Sequence, residues 1–316
     1  MLDATRLRVL VAVARYGSVT GAAQALNYAQ PSISHHIARL EAETGAKLME
    51  RSGRGVKLTE AGRLLADRAE EIIGRLDAAE AELATHVGLR QDRVRLAAFG
   101  SALSTLVAAA SAELHAGSGI QLLLQAEPTE AMRMLRAGEV DVALVYKFLR
   151  DGIEVEPSAA ETRAHSSDSE GQPVLDEPMF LITAAASQDP DETAAQTPHP
   201  DEAAARAAIL GAHAGERWIA AGEQCDELLF DLCRDAGFNP DMALRTPDFV
   251  AAQALVAAGL GVTILPGLAL RAARHPGIEA IPLPGACRRI LAVTYQAAPD
   301  SPAARRLINA IATTTP

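Results

Sequence analysis

Gln30, Ser32, Ser34 and His35 crowd one short stretch that opens at Pro31, just behind Asn27. Short polar side chains at a helix tip are the groups that meet base edges in a duplex groove. Gln can pair bidentately with adenine, and Ser serves either strand. Further along, Arg51, Arg54 and Lys57 surround the turn Ser52-Gly53-Arg54-Gly55. Cations there would neutralise phosphates, and Arg54 could enter a minor groove. Ser18, Thr20 and Arg39 complete the candidate set. The chemistry this pattern points to is recognition of double-stranded DNA.

Catalytic patterns are missing. The eight histidines include no H-x-x-x-H pair, and the adjacent His35 and His36 face different sides of a helix. There is no G-x-S-x-G elbow and no G-x-x-x-x-G-K-[ST] loop. Gly259-Leu260-Gly261-Val262-Thr263 lacks the third glycine of a dinucleotide motif. The sequence therefore calls for no metal, no cofactor and no enzymatic role. Cys225, Cys233 and Cys287 are an odd number without a C-x-x-C pair, which fits a reducing cytoplasm better than a disulfide framework. Cys225, at a helix start, could sense oxidants through a lowered thiol pKa; the alternative is a small buried apolar residue.

The elements that must hold the polar tip follow from periodicity. Leu7, Leu10, Val11 and Ala14 predict a helix over 2–15, stopped by Gly17. Ser18 caps a second helix, Val19 to Leu26, in which Ala22 and Ala23 allow close approach. Pro31 opens a third helix with Ile33, Ile37 and Leu40 on its buried face and Gly45 at its end. Lys47-Leu48-Met49 and Val56-Lys57-Leu58 form a hairpin. Three helices and a basic hairpin make a winged helix–turn–helix. Thr59 then caps a long helix over 60–88, on which Leu65, Ala69, Ile72, Leu76, Ala79 and Leu83 recur at 4-3-4-3-4. That heptad stripe asks for a partner helix; the competing reading is an amphipathic helix lying on its own domain.

From Arg93 the pattern alternates between strand and helix, predicting a mostly parallel α/β sheet covered on both faces. Strands are expected at 94–99, 120–125, 141–146, 179–184, 217–220, 242–245, 262–265, 278–283 and 290–296. Helices are expected at 102–115, 129–137, 225–236, 249–258 and 302–312. Residues 151–173 and 187–204 read as long exposed loops. The segment 151–202 holds 13 acids and one base, Arg163, whereas residues 1–60 carry 8 Lys and Arg against 5 Asp and Glu. A basic head on an acidic body is compatible with DNA. The acidic segment reads as a solvated linker, with charge mimicry of DNA as the alternative. The apolar run Ala251 to Leu270 contains Gln253, Thr263, three glycines and Pro266. A helix leading into a buried strand explains it better than a membrane span.

Leu7, Val11, Ala14, Gly17-Ser18, Ala22-Ala23, Leu26, Gln30-Pro31-Ser32, Ser34, Ile37, Leu40-Glu41, Gly45, Leu48, Arg51, Leu58-Thr59 and Ala61-Gly62 together resemble the LysR-type transcriptional regulators. The likeness continues through Gly138 to Ala143, Leu255 to Val262 and Leu265-Pro266. Met49 stands where that family usually has Phe, and the acidic loops are longer than usual. The resemblance implies a winged helix–turn–helix DNA-binding domain over 1–59 and a linker and dimerisation helix over 60–90. It also implies two Rossmann-like α/β subdomains of the periplasmic-binding-protein type, 91–183 plus 271–316 and 184–270, with crossovers near 183–187 and 267–271. The implied partners are promoter DNA, a small-molecule effector in the cleft, a second or further copies of the chain as homodimer or homotetramer, and RNA polymerase, with no membrane. In open α/β sheets ligands sit at the carboxyl ends of strands. Those ends carry Gly100, Ser101, Thr129, Tyr146, Lys147, Gly222, Thr246 and Thr263, with Phe249 opening the next helix. Ser101 and Thr129 match family effector positions; plain helix capping is the other reading of both. The rival from another class is a solute-binding or enzymatic α/β protein whose N-terminal helices serve only dimerisation.

Overall fold

A computed structural model of the chain describes residues 2–52, 55–86, 94–113, 120–155, 171–185, 201–294 and 302–313. The head is built from helices α1 (Ala4–Tyr16), α2 (Val19–Ala25) and α3 (Gln30–Thr44) and strands β1 (Met49–Ser52) and β2 (Gly55–Leu58). Asp3 caps α1 by accepting from the Arg6 N–H, and Ser18 caps α2 by accepting from Gly21. Gly17 and Gly45 end α1 and α3 in the left-handed conformation that glycine takes without strain (φ 65° and 68°). The core buries Leu7, Leu10, Val13, Ala22, Ala23, Ile33, Ile37 and Leu40. Ala14, expected on the inner face of α1, is exposed; Val9, Ala12 and Val13 take the inner positions because α1 packs against α2, α3 and the long helix at once.

That long helix is α4 (Glu60–His86). Its expected seam divides. Ala69 is fully buried and Leu65 half-buried in the head core, whereas Ile72, Leu76, Ala79 and Leu83 are exposed. The helix as far as Ile73 therefore belongs to the head, as the amphipathic-helix reading required. Only the later half of the stripe is open to a partner helix.

The body begins with β3 (Val94–Ala98). Helical segments α5 (Gly100–Ala102) and α6 (Ala108–Glu113) follow, joined through a π-turn at Leu103–Val107. Next come β4 (Ile120–Gln125), α7 (Pro128–Arg136), β5 (Val142–Arg150), β6 (Ile153–Glu154) and β7 (Gln172–Ala184). The chain continues with α8 (Glu202–Gly211), β8 (Arg217–Ala220), α9 (Glu223–Asp235), β9 (Asp241–Arg245) and α10 (Phe249–Ala257). It finishes with β10 (Thr263–Pro266), α11 (Gly267–Ala272), β11 (Ile278–Thr294) and α12 (Pro302–Thr313). One sheet runs β10-β7-β11-β5-β3-β4, with β6 beside β5. β8 and β9 pair in parallel and reach β10 through a bridge between Trp218 and Val262.

The sheet is mixed rather than mostly parallel. β3 pairs in parallel with β4 and β5, but β11 is antiparallel to both β5 and β7. β7 and β11 are long strands running in opposite senses, and β11 also runs against β5. The expected separate strands at 278–283 and 290–296 are the two ends of β11, and the strand expected at 179–184 is the second half of β7. The β7–β11 register breaks between Pro282 and Cys287. The loop expected over 151–173 is structured at its ends, as β6 and the start of β7; α8 begins at Glu202, inside the other expected loop. The rest of both segments, 156–170 and 186–200, lies outside the described residues.

Leu96, Phe99, Tyr146, Trp218, Leu228, Ile264, Ile290 and Leu307 share one core that spans both subdomains. Ala131, Met132 and Leu135 of α7 cover the opposite face of the first subdomain with Ala143 and Val145. Among the described residues, no helix is long and apolar enough to cross a membrane.

Candidate nucleic-acid interface and ligand cleft

On the head, Gln30, Pro31, Ser32, Ser34, His35 and Arg39 are all exposed on α3, while Ile33, Ile37 and Leu40 are buried beneath them. The i, i+3, i+4, i+7 spacing of Pro31, Ser34, His35 and Ala38 aligns them as one outward row. Gln30 Nε2 donates to Thr20 Oγ1 at 2.8 Å, tying the tips of α2 and α3. Gln30 must release Thr20 or turn its carbonyl outward to grip a base. The Ser18 hydroxyl is spent on capping α2, and Asn27 takes a left-handed turn (φ 55°) that lets α3 follow α2 closely. Both therefore build the motif locally. Arg51 lies on β1 opposite Val56, and Lys57 is exposed but paired across the hairpin with Glu50 at 3.1 Å. Arg54 lies outside the described residues.

Two residues fix this surface: Thr59, expected as the cap of α4, and Glu41, whose part spacing did not single out. Glu41 on α3 accepts from the N–H of Leu48 (2.9 Å) and Met49 (3.3 Å) and pairs with Lys47. It anchors the start of the wing to the recognition helix. Thr59 donates to Lys47 O and accepts from Gly62 N, which fastens α4 to the same turn. Partial burial pushes the Glu41 carboxyl up, but the hydrogen bonds from Leu48, Lys47 and Met49 outweigh it and hold the carboxyl below its usual range. A depressed carboxylate stabilises the fold above its unfolded pKa, and that stabilisation is lost as pH falls through the folded value. Glu41→Gln is therefore expected to flatten the acid side of the head's melting-temperature profile below about pH 4.3. Thermal melts of the two proteins across that range check it; identical slopes would remove Glu41 as the wing's anchor.

In the body, the carboxyl ends of β3 and β4 meet α10 from the second subdomain. A Cβ on Gly100 would lie 3.4 Å from Gln125 Nε2 and 3.9 Å from Phe249 Cε1. Gly100 and Phe249 thus lie close to each other. Ser101 is buried, and its hydroxyl accepts from Arg288 Nη2 at 2.9 Å. The Arg288 guanidinium lies over the edge-to-face pair of Phe99 and Tyr146 rings, 4.7 and 4.6 Å from their centroids, and donates from Nε to Glu177 at 2.7 Å. Tyr146 donates to Glu127 at 2.9 Å, and burial raises its phenol well above the usual range, so it stays a donor. Thr129 is exposed at the start of α7. Thr246 is half-buried at the end of β9 and accepts from Asp248 N, and Gly222 (φ 127°) precedes α9.

Two candidates fall elsewhere. Lys147 follows Tyr146 on β5, so it projects from the opposite face, where it pairs with Glu154 at 2.8 Å. Thr263 is buried and its hydroxyl donates to Ile219 O at 2.7 Å, a bond within the second subdomain. Arg288, Glu177 and Glu127 went unnoticed in the sequence because nothing local marks them. A charged pair inside an apolar strand such as Cys287-Arg288-Arg289-Ile290 was the only signal. Cys225 is buried, and desolvation pushes its thiol up to about 12. The thiolate an oxidant sensor needs is scarce there, which favours the apolar reading. The described residues hold no cluster of His, Cys, Asp or Glu fit to bind a metal.

Residues 4–63 match the family described as bacterial regulatory helix-turn-helix protein, lysR family, and residues 88–316 match the LysR substrate binding domain. The chain belongs to the LysR family of transcriptional regulators. It is 27% identical to the uncharacterized HTH-type transcriptional regulator YcgK of Bacillus subtilis (strain 168), over 93% of this chain and 89% of that one. Full-length OxyR from Pseudomonas aeruginosa is 20% identical with a TM-score of 0.63, covering 98% of this chain and 95% of that one. CbnR in complex with its target DNA is 21% identical with a TM-score of 0.56, covering 99% and 100%. At these identities the two structures show a shared fold. The LysR-type regulators are DNA-binding proteins with an effector-binding domain, and they form oligomers. The rival reading, a solute-binding or enzymatic α/β protein with helices for dimerisation alone, is overturned by the match of both halves to a regulator family.

Proposed function

We propose that this LysR-family regulator reads its operator with the outward row of α3 and holds the duplex backbone with the wing. Gln30, Ser34 and His35 contact bases; Arg51, Arg54 and Lys57 contact phosphates. Two chains pair through Ile72, Leu76, Ala79 and Leu83 of α4. A small molecule enters between Gly100, Ser101 and Thr129 of one subdomain and Gly222, Thr246 and Phe249 of the other. Its unequal affinity for the open and closed cleft shifts the population between two spacings of the paired heads. The protein works in the cytoplasm, and RNA polymerase is the further partner an activator of this design would touch. The observation that carries the reading is the polar, exposed face of α3 set over a buried apolar one and flanked by a cationic hairpin.

Gln30→Ala combined with Arg54→Ala tests it. A lost base contact is worth about 1–3 kcal/mol, and the lost phosphate contact adds to it. Affinity for DNA from the gene's own upstream region should fall on the order of 100-fold in a mobility-shift assay. Dimerisation, read by sedimentation, should not change. An undiminished shifted band would remove this face as the recognition surface.

A further inference from the structure

The face of α4 that points away from the exposed stripe is covered by the chain's own effector domain. Asp67, Glu70, Gly74 and Asp77 recur at 3-4-3 and lie across the helix from Ile72, Leu76, Ala79 and Leu83. Pairing with a second chain through the stripe therefore leaves this row free to dock elsewhere. Its Gly74 docks on the end of α7, while Asp77 pairs with Arg8 of α1 and Asp67 stays exposed. A Cβ on Gly74 would lie 1.8 Å from Arg136 O, and one on Gly138 would lie 3.2 Å from Gly74 Cα, so backbone meets backbone. Charges ring this contact. Arg15 of α1 reaches Glu139 at 2.5 Å and Glu70 at 3.4 Å. Arg133 of α7 reaches Glu130 at 2.7 Å, Glu139 at 3.3 Å and Glu70 at 3.7 Å. Its Nη1 is buried without a hydrogen bond, so the cluster is not fully satisfied.

We propose that this contact is a releasable clasp that fixes the DNA-binding head against the first effector subdomain of the same chain. Three features support release. The contact is ringed by charged side chains, and polar domain contacts separate more readily than large hydrophobic ones. Glycine on glycine interlocks no side chains. Three carboxylates share two guanidinium groups under partial solvent exposure, where salt screens them. While the clasp is closed, α1, α4 and α7 move as one body. α7 packs on the sheet whose strand ends form the cleft, and its own first turn carries Thr129. Opening the clasp frees the head to take a second orientation. The inference rests on the head binding DNA and goes beyond that reading in saying what holds the head when it does.

Gly74→Leu is the wedge. It sits in mid-helix, where leucine forms helix better than glycine, so α4 itself should not weaken. In the full-length chain, amide exchange at 67–77 and 130–139 should quicken by at least about tenfold relative to the native protein. Raising sodium chloride to about 0.5 M should move the native protein the same way. The extent of nuclease protection on the promoter duplex should differ between the two proteins. Unchanged exchange would overturn the docking. Quickened exchange with an identical footprint would overturn its role in orienting the head. If the native chain fails to bind the promoter at all, the DNA-binding reading falls, while the exchange measurement still decides the clasp.

Discussion

Glu177→Ala is expected to destabilise the effector domain by about 3–5 kcal/mol, the range for breaking one side of a buried ion pair. Glu177 is 2% exposed and Arg288 3%. One carboxylate oxygen takes Arg288 Nε at 2.7 Å and Nη2 at 2.6 Å; the other accepts from Leu268 N, at the start of α11, at 2.5 Å. Alanine would leave the Leu268 amide without its acceptor and the buried guanidinium without its counter-charge, with only the Ser101 hydroxyl still accepting from it. The aromatic rings of Phe99 and Tyr146 lie against the buried Arg288 guanidinium itself, which shields the charge from water. Against a total stability of about 5–15 kcal/mol the loss is large. Differential scanning calorimetry should show the effector-domain transition lowered by roughly 10 °C. Glu177→Leu combined with Arg288→Met removes both charges and should recover most of that loss. A single variant that melts within about 2 °C of the native protein would mean the pair does not brace the effector domain. The Ser101 hydroxyl accepts from the same guanidinium, so the brace reaches the carboxyl end of β3.

Gly62→Val should abolish DNA binding while leaving the effector domain intact. A Cβ at Gly62 would lie 2.0 Å from Leu48 O, far inside contact distance, and the obstacle is backbone. The first turn of α4 would have to lift off the turn that joins α3 to the wing. That movement breaks the bond from Gly62 N to Thr59 and that from Thr59 to Lys47 O, and it disturbs the Glu41 anchor next to them. Overpacking of this kind costs about 1–3 kcal/mol when side chains can shift, and more is expected where they cannot. The head transition in a circular-dichroism melt should fall, and promoter affinity should drop at least about 100-fold, since wing and recognition helix no longer share a register. Affinity within about threefold of the native value would show that α4 can yield without moving the wing.

Both predictions turn on contacts that spacing did not disclose, although the helices and strands bearing them were legible. The helix–turn–helix was readable because its signals are local: Ser18 caps α2 three residues before the amide it receives, Pro31 opens α3, and Gly17 and Gly45 end their helices. The outward row of α3 followed from a 3.6-residue period against Ile33, Ile37 and Leu40. The strands of the body were readable as apolar runs. Their senses were not, because nothing within an apolar run says which neighbour it will pair with, and so a mixed sheet was read as mostly parallel. The heptad on α4 was readable as a stripe, but its division between the head core at Ala69 and an open seam from Ile72 depends on where α1 lies.

The amino-acid order alone determined that a polar helix tip and a basic hairpin stand at the front of an α/β protein, because capping, turning and amphipathic burial act over a few residues. Only the folded chain decided that Ser101 is held by Arg288, 187 positions away, that Lys147 and Thr263 turn from the cleft, and that Gly74 touches the end of α7. Pairings over such separations are chosen by which surfaces collapse onto one another once the strands have found their register, and no local pattern encodes that choice.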